Sequence, residues 1–286
     1  ATYDATAPTP VITSIESDPT NSDPIAFQVD FGEDVLGFVE GDISVGNGAV
    51  TGSSLSGGAG GLYSFSVDPA GDGTVTVDIN ASVATDVAGN NNNAAVQFSI
   101  DYDGSAPVVD DLEIFDTDND GFIDQIIVHF DENVDTDDGA APVLSDLGTI
   151  TLPDGQTITT SAGLSISNPQ GITNQVTISG ISDQVTANTG AGSTSIDNIE
   201  GFWRDGVGNI TNTASDDAEN IIDSAAPIIV AATTADNNNN GQIDHLTLTF
   251  SESIDDGNSG TFTGTTVDVA GYTGEAKVSG DDDNAE

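Results

Sequence analysis

One short acidic segment has the residue types and the spacing of a calcium-binding loop. Residues 116–124 read Asp-Thr-Asp-Asn-Asp-Gly-Phe-Ile-Asp, with carboxylates at loop positions one, three, five and nine and glycine at position six. Alternate side chains of a tight turn converge on one point, and glycine permits the sharp bend. Position twelve is Ile127 rather than glutamate, and no flanking helix is predicted. The segment is therefore predicted to be a calcium loop that joins two β-strands, with ligands like those of an EF-hand, and not an EF-hand itself. The predicted ligands are Asp116, Asp118, Asp120 and Asp124.

A second copy of this segment occupies residues 236–244, 120 residues further along the chain. It keeps the spacing and the glycine but has asparagine in place of two aspartates. We expect it to bind calcium more weakly, because the charge of the ligands tunes affinity. The predicted ligands are Asp236, Asn238, Asn240 and Asp244. For both segments the alternative is an Asp- and Asn-rich turn that binds nothing.

Three of the ten glutamates recur at one position of an internal repeat. Glu33, Glu132 and Glu252 are separated by 99 and 120 residues, and each lies two residues after a phenylalanine. The same two intervals separate three prolines that follow an acidic linker: Pro8, Pro107 and Pro227. Repetition at fixed intervals predicts three copies of one structural unit.

The elements that must position these residues are short strands. Apolar and polar residues alternate over 25–31, 125–130 and 245–250, and again over 62–67, 74–79 and 95–100. A period of two with one apolar face predicts half-buried strands, and no stretch has a helical period. Such strands in a unit of about 100 residues predict an all-β fold of immunoglobulin-like antiparallel sandwiches. The chain has no cysteine, so these sandwiches would lack a disulfide.

Residues 8–103 resemble a bacterial Ig-like repeat of the kind found in tandem in large surface adhesins. The resemblance is carried by Ser22-Asp23-Pro24-Ile25, Phe31-Gly32-Glu33-Asp34-Val35, Thr74-Val75-Thr76-Val77 and Thr85-Asp86-Val87-Ala88-Gly89-Asn90. Residues 107–223 resemble it with longer insertions, and residues 227–286 resemble its first half. The resemblance implies an extracellular, non-catalytic tandem array at the cell surface, arranged as a rod and often rigidified by Ca²⁺.

The expected domain boundaries follow the repeats. We expect one Ig-like repeat over 1–103, with 1–7 as a linker from a preceding domain, a second with insertions over 104–223, and an incomplete third over 224–286. An open half-sandwich would leave strand edges unpaired. The third repeat is therefore expected to be completed by further chain beyond Glu286 or by strand addition from another chain.

A second kind of cation site is expected at each domain junction. In an Ig-like sandwich the loop after the second strand and the loop after the sixth lie at the same end, facing the preceding domain. The linker aspartate, the repeated glutamate and an Asp-x-x-Gly-Asn turn would then converge. The predicted ligands are Asp4, Glu33, Asp86 and Asn90, then Asp103, Glu132, Asp205 and Asn209, then Asp223 and Glu252. The alternative is a plain turn beside a solvated glutamate.

Composition narrows the classes of function. The chain has 48 Asp and Glu against 2 Lys and Arg, a formal net charge of −46, which excludes nucleic acid as a partner. No run of about 18 apolar residues exists to insert into a membrane. No nucleophile motif occurs, and one Trp with four Tyr are too few to line a carbohydrate-cleaving cleft. These observations argue against an enzyme.

The sequence therefore favours an extracellular structural segment of a Ca²⁺-stiffened Ig-like array: an adhesin stalk, a surface layer or a filament subunit. Its expected partners are Ca²⁺ and neighbouring Ig-like domains or identical chains. One alternative is a glycan- or cell-binding module using Phe202 and Trp203, although Trp203 is expected in the core. Others are an accessory domain of a secreted hydrolase and a halophile surface protein with no specific metal.

Overall fold

The structure, a computed structural model, describes residues 4–136, 143–159, 163–167, 173–190, 192, 194–197, 203–211 and 220–253. Within these ranges the chain is all-β, as predicted, with twenty strands and three short 3-10 turns at Glu40–Asp42, Ala59–Gly61 and Leu144–Leu147. No helix in the described part could span a membrane. The chain divides into two compact units, Ala1–Ala106 with Val207–Asn209, and Pro107–Gly206 with Ile210–Glu286. The boundaries of the three repeats stay a prediction, and residues 254–286 of the third lie outside the described ranges.

The first unit is a sandwich of antiparallel sheets. Its strands are β1 (Val11–Ser14), β2 (Ile25–Asp30), β3 (Val35–Leu36), β4 (Ile43–Gly46), β5 (Gly48–Val50), β6 (Ser56–Gly57), β7 (Leu62–Pro69), β8 (Gly73–Ile79), β9 (Thr85–Asp86) and β10 (Phe98–Tyr102). One sheet has the order β1-β2-β7-β5, with β6 also on β7, and a second has the order β10-β8-β4. The short strands β3 and β9 form a separate pair.

The core of the first unit follows from the alternation in the sequence. Ile25, Phe27 and Val29 are buried on one face of β2, and alternate residues of β8 are buried in the same way. Phe27 stacks on Phe65 with the ring centroids 5.5 Å apart. The strands predicted over 25–31, 62–67 and 74–79 are confirmed, whereas β10 begins at Phe98 rather than at residue 95.

The second unit is built on one larger sheet. Its strands are β11 (Val109–Phe115), β12 (Gln125–Thr136), β13 (Thr149–Thr151), β14 (Ser165–Ser167), β15 (Thr173–Ser179), β16 (Ser195–Asp197), β17 (Trp203–Arg204), β18 (Asn220–Asp223), β19 (Ile229–Ala235) and β20 (His245–Phe250). The sheet has the order β14-β15-β12-β11-β18, with β17 on β12, and β13-β16 and β19-β20 are separate pairs. Trp203 is fully buried against Phe130, as expected for a core residue.

Two hairpins of the second unit have the same geometry. In β11–β12 the last pair is Phe115 with Gln125, and in β19–β20 it is Ala235 with His245. Both hairpins have a register shift after their first paired residue. The sequence interval of 120 residues is therefore a structural repeat here, and each hairpin carries one of the two predicted calcium loops at its turn.

Candidate metal sites

The loop over 116–124 bends around the side chain of Asp116. Asp116 is 8% exposed; its Oδ1 accepts a hydrogen bond from the backbone N–H of Asp120 at 3.1 Å, and its Oδ2 accepts from Gly121 at 2.9 Å. Asn119 and Gly121 both have positive φ, 59° and 93°. Asparagine and glycine tolerate this left-handed conformation, so the sequence can follow the tight path.

Three of the four predicted ligands meet in this loop. Asp116, Asp118 and Asp120 each offer a carboxylate oxygen, and these oxygens lie within 4.8 Å of one another. Desolvation raises the pKa of Asp118, and the charges of Asp120, Asp124 and Asp116 raise it further. Asp124 closes the loop by accepting from the backbone N–H and Oγ1 of Thr117, at 3.2 and 2.6 Å. Carboxylate oxygens are hard ligands of the kind that Ca²⁺ prefers, and a bound cation would offset their mutual repulsion.

The loop over 236–244 has the same conformation. Asp236 accepts from the backbone N–H of Asn240 at 3.1 Å and of Gly241 at 2.7 Å, and Asn239 and Gly241 have φ of 55° and 82°. Asn238 and Asn240 supply amide oxygens where the first loop has carboxylates. The geometry is therefore kept while two negative charges are lost.

A second acidic cluster lies at one end of the first unit. Asp4, Glu33 and Asp86 offer carboxylate oxygens within 4.8 Å of one another. These residues come from three separate segments: the incoming linker, the loop after β2, and β9. The pairing of Val35 with Asp86 between β3 and β9 brings two of these segments together.

Asn90 holds this cluster in place through the hydrogen bonds that it donates. Its backbone N–H and its Nδ2 each donate to Asp86 at 2.7 Å, and its Nδ2 also lies 3.3 Å from the carbonyl oxygens of Asp4 and Thr6. The amide nitrogen of Asn90 therefore ties the linker to β9. Its expected role as an oxygen ligand stays a prediction.

The charges in this cluster are set by opposing effects. Desolvation, followed by the charges of Asp86 and Asp4, raises the pKa of Glu33. Desolvation would also raise the pKa of Asp86, which is 3% exposed, but hydrogen bonds from the Asn90 side chain and from nearby backbone N–H groups lower it. The pKa of Asp86 is thus lowered although two further carboxylates lie beside it. A divalent cation would offset their repulsion.

The second unit repeats part of this arrangement. Glu132 and Asp205 offer carboxylate oxygens within 4.8 Å of each other, and Asp205 is 4% exposed. The pairing of Asp135 with Arg204 between β12 and β17 is the counterpart of the β3–β9 pair. The other two residues predicted with them, Asp103 and Asn209, belong to the first unit. There the Asn209 Nδ2 donates to the Asp103 carbonyl at 2.8 Å, as the Asn90 Nδ2 does to Asp4.

The third predicted pair, Asp223 and Glu252, is also brought together. Desolvation, with a hydrogen bond to Asp223 and its charge, raises the pKa of Glu252 to about 7. Thr189 Oγ1 donates to Glu252 Oε1 at 3.1 Å, which opposes the rise. Two carboxyl groups in contact share a proton readily, and a cation that replaced the proton would bind both.

Comparison with known proteins gives a family match within the first unit. Residues 4–102 match the family model of the bacterial Ig-like domain. This part of the chain is similar to a bacterial Ig-like domain. Among solved structures, the FdeC adhesin of Escherichia coli is similar at 10% identity and a TM-score of 0.37, over 86% of this chain and 74% of that one. That similarity is too remote to support an inference about this chain. No curated protein matches the sequence.

One residue that positions the cluster of the Ig-like domain was not predicted from sequence. Gly61 is buried, with φ of 80°, and its carbonyl accepts from the backbone N–H of Phe31 at 3.0 Å. A Cβ at this position would overlap the carbonyl oxygen of Glu33. Gly61 therefore supports the loop that carries Glu33. A glycine among 33 gives no sequence signal of such a role.

Proposed function

We propose that this chain is an extracellular structural segment of Ig-like domains stiffened by Ca²⁺, within an adhesin stalk, a surface layer or a filament. One observation carries the proposal: Asp4, Glu33 and Asp86 converge from three separate segments of the Ig-like domain. Their sequence positions recur in the later repeats, which makes a chance surface cluster a poor explanation.

The ion would cross-link the linker to the sandwich. Asp4 lies in the linker, whereas Glu33 and Asp86 belong to the sandwich, so a cation held by all three fixes the linker to the domain. With a net charge of −46 the chain repels itself, and bound cations reduce that repulsion. An ion that binds only the folded chain also stabilises it, by about 2.7 kcal/mol at 100-fold excess over Kd. A chain without disulfides gains cross-links in this way.

The partners and the location follow from the same role. Neighbouring Ig-like domains or identical chains are the proposed partners, at the cell surface, with no catalytic activity in this segment. The match to a bacterial Ig-like domain supports this assignment. Burial of Trp203 removes one of the two aromatic residues that a glycan-binding platform would have used, and Phe202 lies outside the described residues.

Thermal melting separates a calcium site from a general salt requirement. In about 1 M NaCl the Debye length is about 3 Å, so diffuse repulsion is already screened. We expect millimolar Ca²⁺ to raise the melting temperature above that in EDTA by roughly 5–10 °C, the effect of about 2.7 kcal/mol on a chain of this size. Mg²⁺ should do less, since it demands a tighter octahedral site. Full stability in NaCl with EDTA would instead favour a halophile surface without specific metal.

A further inference from the structure

The tip of the loop over 116–124 lies against the β19–β20 hairpin, a contact that the repeat pattern does not predict. A Cβ on Gly121 would lie 2.9 Å from Val230 Cγ1 and 3.3 Å from both Ile228 Cδ1 and Ala187 Cβ. Gly241, its counterpart in the second loop, has nothing within 4 Å. Gly121 is therefore required for close packing as well as for its positive φ.

A buried glutamine fixes the other side of the same loop. Gln184 is 7% exposed; its Oε1 accepts from the backbone N–H of Ile123 at 2.8 Å, and its Nε2 donates to the carbonyls of Thr186 and Asn188 at 2.9 and 2.6 Å. The backbone N–H of Asn188 donates to the carbonyl of Gly121 at 3.0 Å. The loop and the segment over 184–190 are thus held as one surface.

This surface continues to the base of the hairpin through Thr189. Thr189 Oγ1 and Ser251 Oγ share a hydrogen bond at 2.6 Å, and the Thr189 backbone N–H donates to the Ser251 carbonyl at 3.2 Å. Ser251 Oγ in turn accepts from the backbone N–H of Ile228 at 3.0 Å. Every residue of β19 itself is exposed except Ala235, which is half-buried. Gly121 and Thr189 therefore contact the hairpin where it is anchored.

We propose that the loop over 116–124 is the seat on which the β19–β20 hairpin docks, and that ion binding in the loop controls how firmly the hairpin is held. This inference rests on the proposed calcium site in that loop. Gly121 links the two events directly, because its N–H donates to Asp116 while its bare Cα faces Val230. Without the ion, repulsion among the loop carboxylates loosens the path of Gly121. The bound ion removes that repulsion and fixes the seat.

Amide hydrogen exchange of the full chain tests this proposal. In the wild type we expect Ca²⁺ to slow exchange in β19 and β20 by about tenfold relative to EDTA, the effect of a modest coupling energy. Gly121→Ala should abolish this calcium dependence, because the added methyl meets Val230. Val230→Ala, which removes the contacting side chain and leaves the loop backbone with its glycine, should reduce this calcium dependence as well. Ile229→Ala, at a neighbouring residue that is 54% exposed, should leave it unchanged.

The outcomes separate this inference from the proposed function. Calorimetric titration of wild type and Asp118→Asn reports whether the loop binds Ca²⁺ at all. If the loop binds Ca²⁺ but amide exchange in β19 and β20 does not change, the proposed coupling to the hairpin is wrong and the proposed calcium site is still supported. A calcium dependence of hairpin exchange that Val230→Ala leaves unchanged would also overturn it, because the contact between Gly121 and Val230 would then not couple the loop to the hairpin. No uptake of Ca²⁺ by the wild type would overturn the proposed function, and the inference with it.

Discussion

At the scale of single residues, folding and ion binding place opposite demands on Asp118. Desolvation and three neighbouring aspartates raise its pKa, so its charge destabilises the ion-free loop. We predict that Asp118→Asn raises the melting temperature in EDTA but lowers it in saturating Ca²⁺, where a charged ligand has been lost. The loop backbone should survive, because Asn238 already occupies the equivalent position and its Oδ1 accepts from the Asn240 N–H at 3.0 Å.

The control for this prediction is Asp110→Asn, which removes one charge from an exposed position outside the loop. It should shift the melting temperature in the same direction with and without Ca²⁺. A fall in the melting temperature of Asp118→Asn in EDTA would contradict this prediction, because the carboxylate would then stabilise the ion-free loop.

Glu252 predicts how stability depends on pH. Its pKa is raised from 4.5 to about 7 in the folded state, so the folded chain binds the proton more tightly than the unfolded chain does. In EDTA its contribution to stability is fully present below about pH 4.5 and is lost as pH rises through about 7. Glu252→Gln should make the free energy of unfolding less dependent on pH between about 4.5 and about 7. An equally steep curve in the variant would show that the dependence arises elsewhere.

Calcium should change that pH dependence. Ligand carboxylates must lose their protons to bind the ion, so affinity is expected to rise as pH increases through the same window. Calorimetric titration at several pH values, in wild type and Glu252→Gln, measures this directly. An affinity that is independent of pH in the wild type would remove Glu252 from the ligand set.

At the scale of elements, the turn Ala59–Gly61 supports the loop that carries Glu33. Gly60 and Gly61 both have positive φ, 69° and 80°, but only Gly61 abuts another backbone segment. We predict that Gly60→Ala costs about 1 kcal/mol from backbone strain and that Gly61→Ala costs about 1–3 kcal/mol more from overpacking. Denaturant unfolding measures both. Gly61→Ala should also weaken Ca²⁺ binding, whereas equal effects of the two variants would contradict the steric role.

The elements also show which features sequence can and cannot predict. Regular alternation predicted β2, β7 and β8, because one buried face imposes a period of two. The two-residue pairing of β3 with β9 has no such period. The hydrogen bond from the backbone N–H of Ile123 to Gln184 joins residues that are 61 positions apart. No local sequence pattern predicts it. At Asn90 the residue type was informative but its role was ambiguous, since an amide both donates and accepts.

At the scale of the whole molecule, charge and repetition were the most informative features of the sequence. The all-β class and the bacterial Ig-like character of residues 4–102 both followed from repeated strand patterns. The convergence of Asp4, Glu33 and Asp86 followed from topology, because equivalent loops of an Ig-like sandwich share one end. The identity of the ion depends on the distances, number and charge of its oxygens. Composition restricts those properties without determining them.

Anomalous scattering from crystals of the full chain grown with Ca²⁺ tests directly whether calcium binds these carboxylates. We expect peaks within about 2.3–2.6 Å of carboxylate oxygens at two places, the Asp116–Asp118–Asp120 loop and the Asp4–Glu33–Asp86 cluster. Crystals grown with EDTA serve as the control. Folded chains in Ca²⁺ with no peak at either cluster would contradict the claim that calcium stiffens this segment.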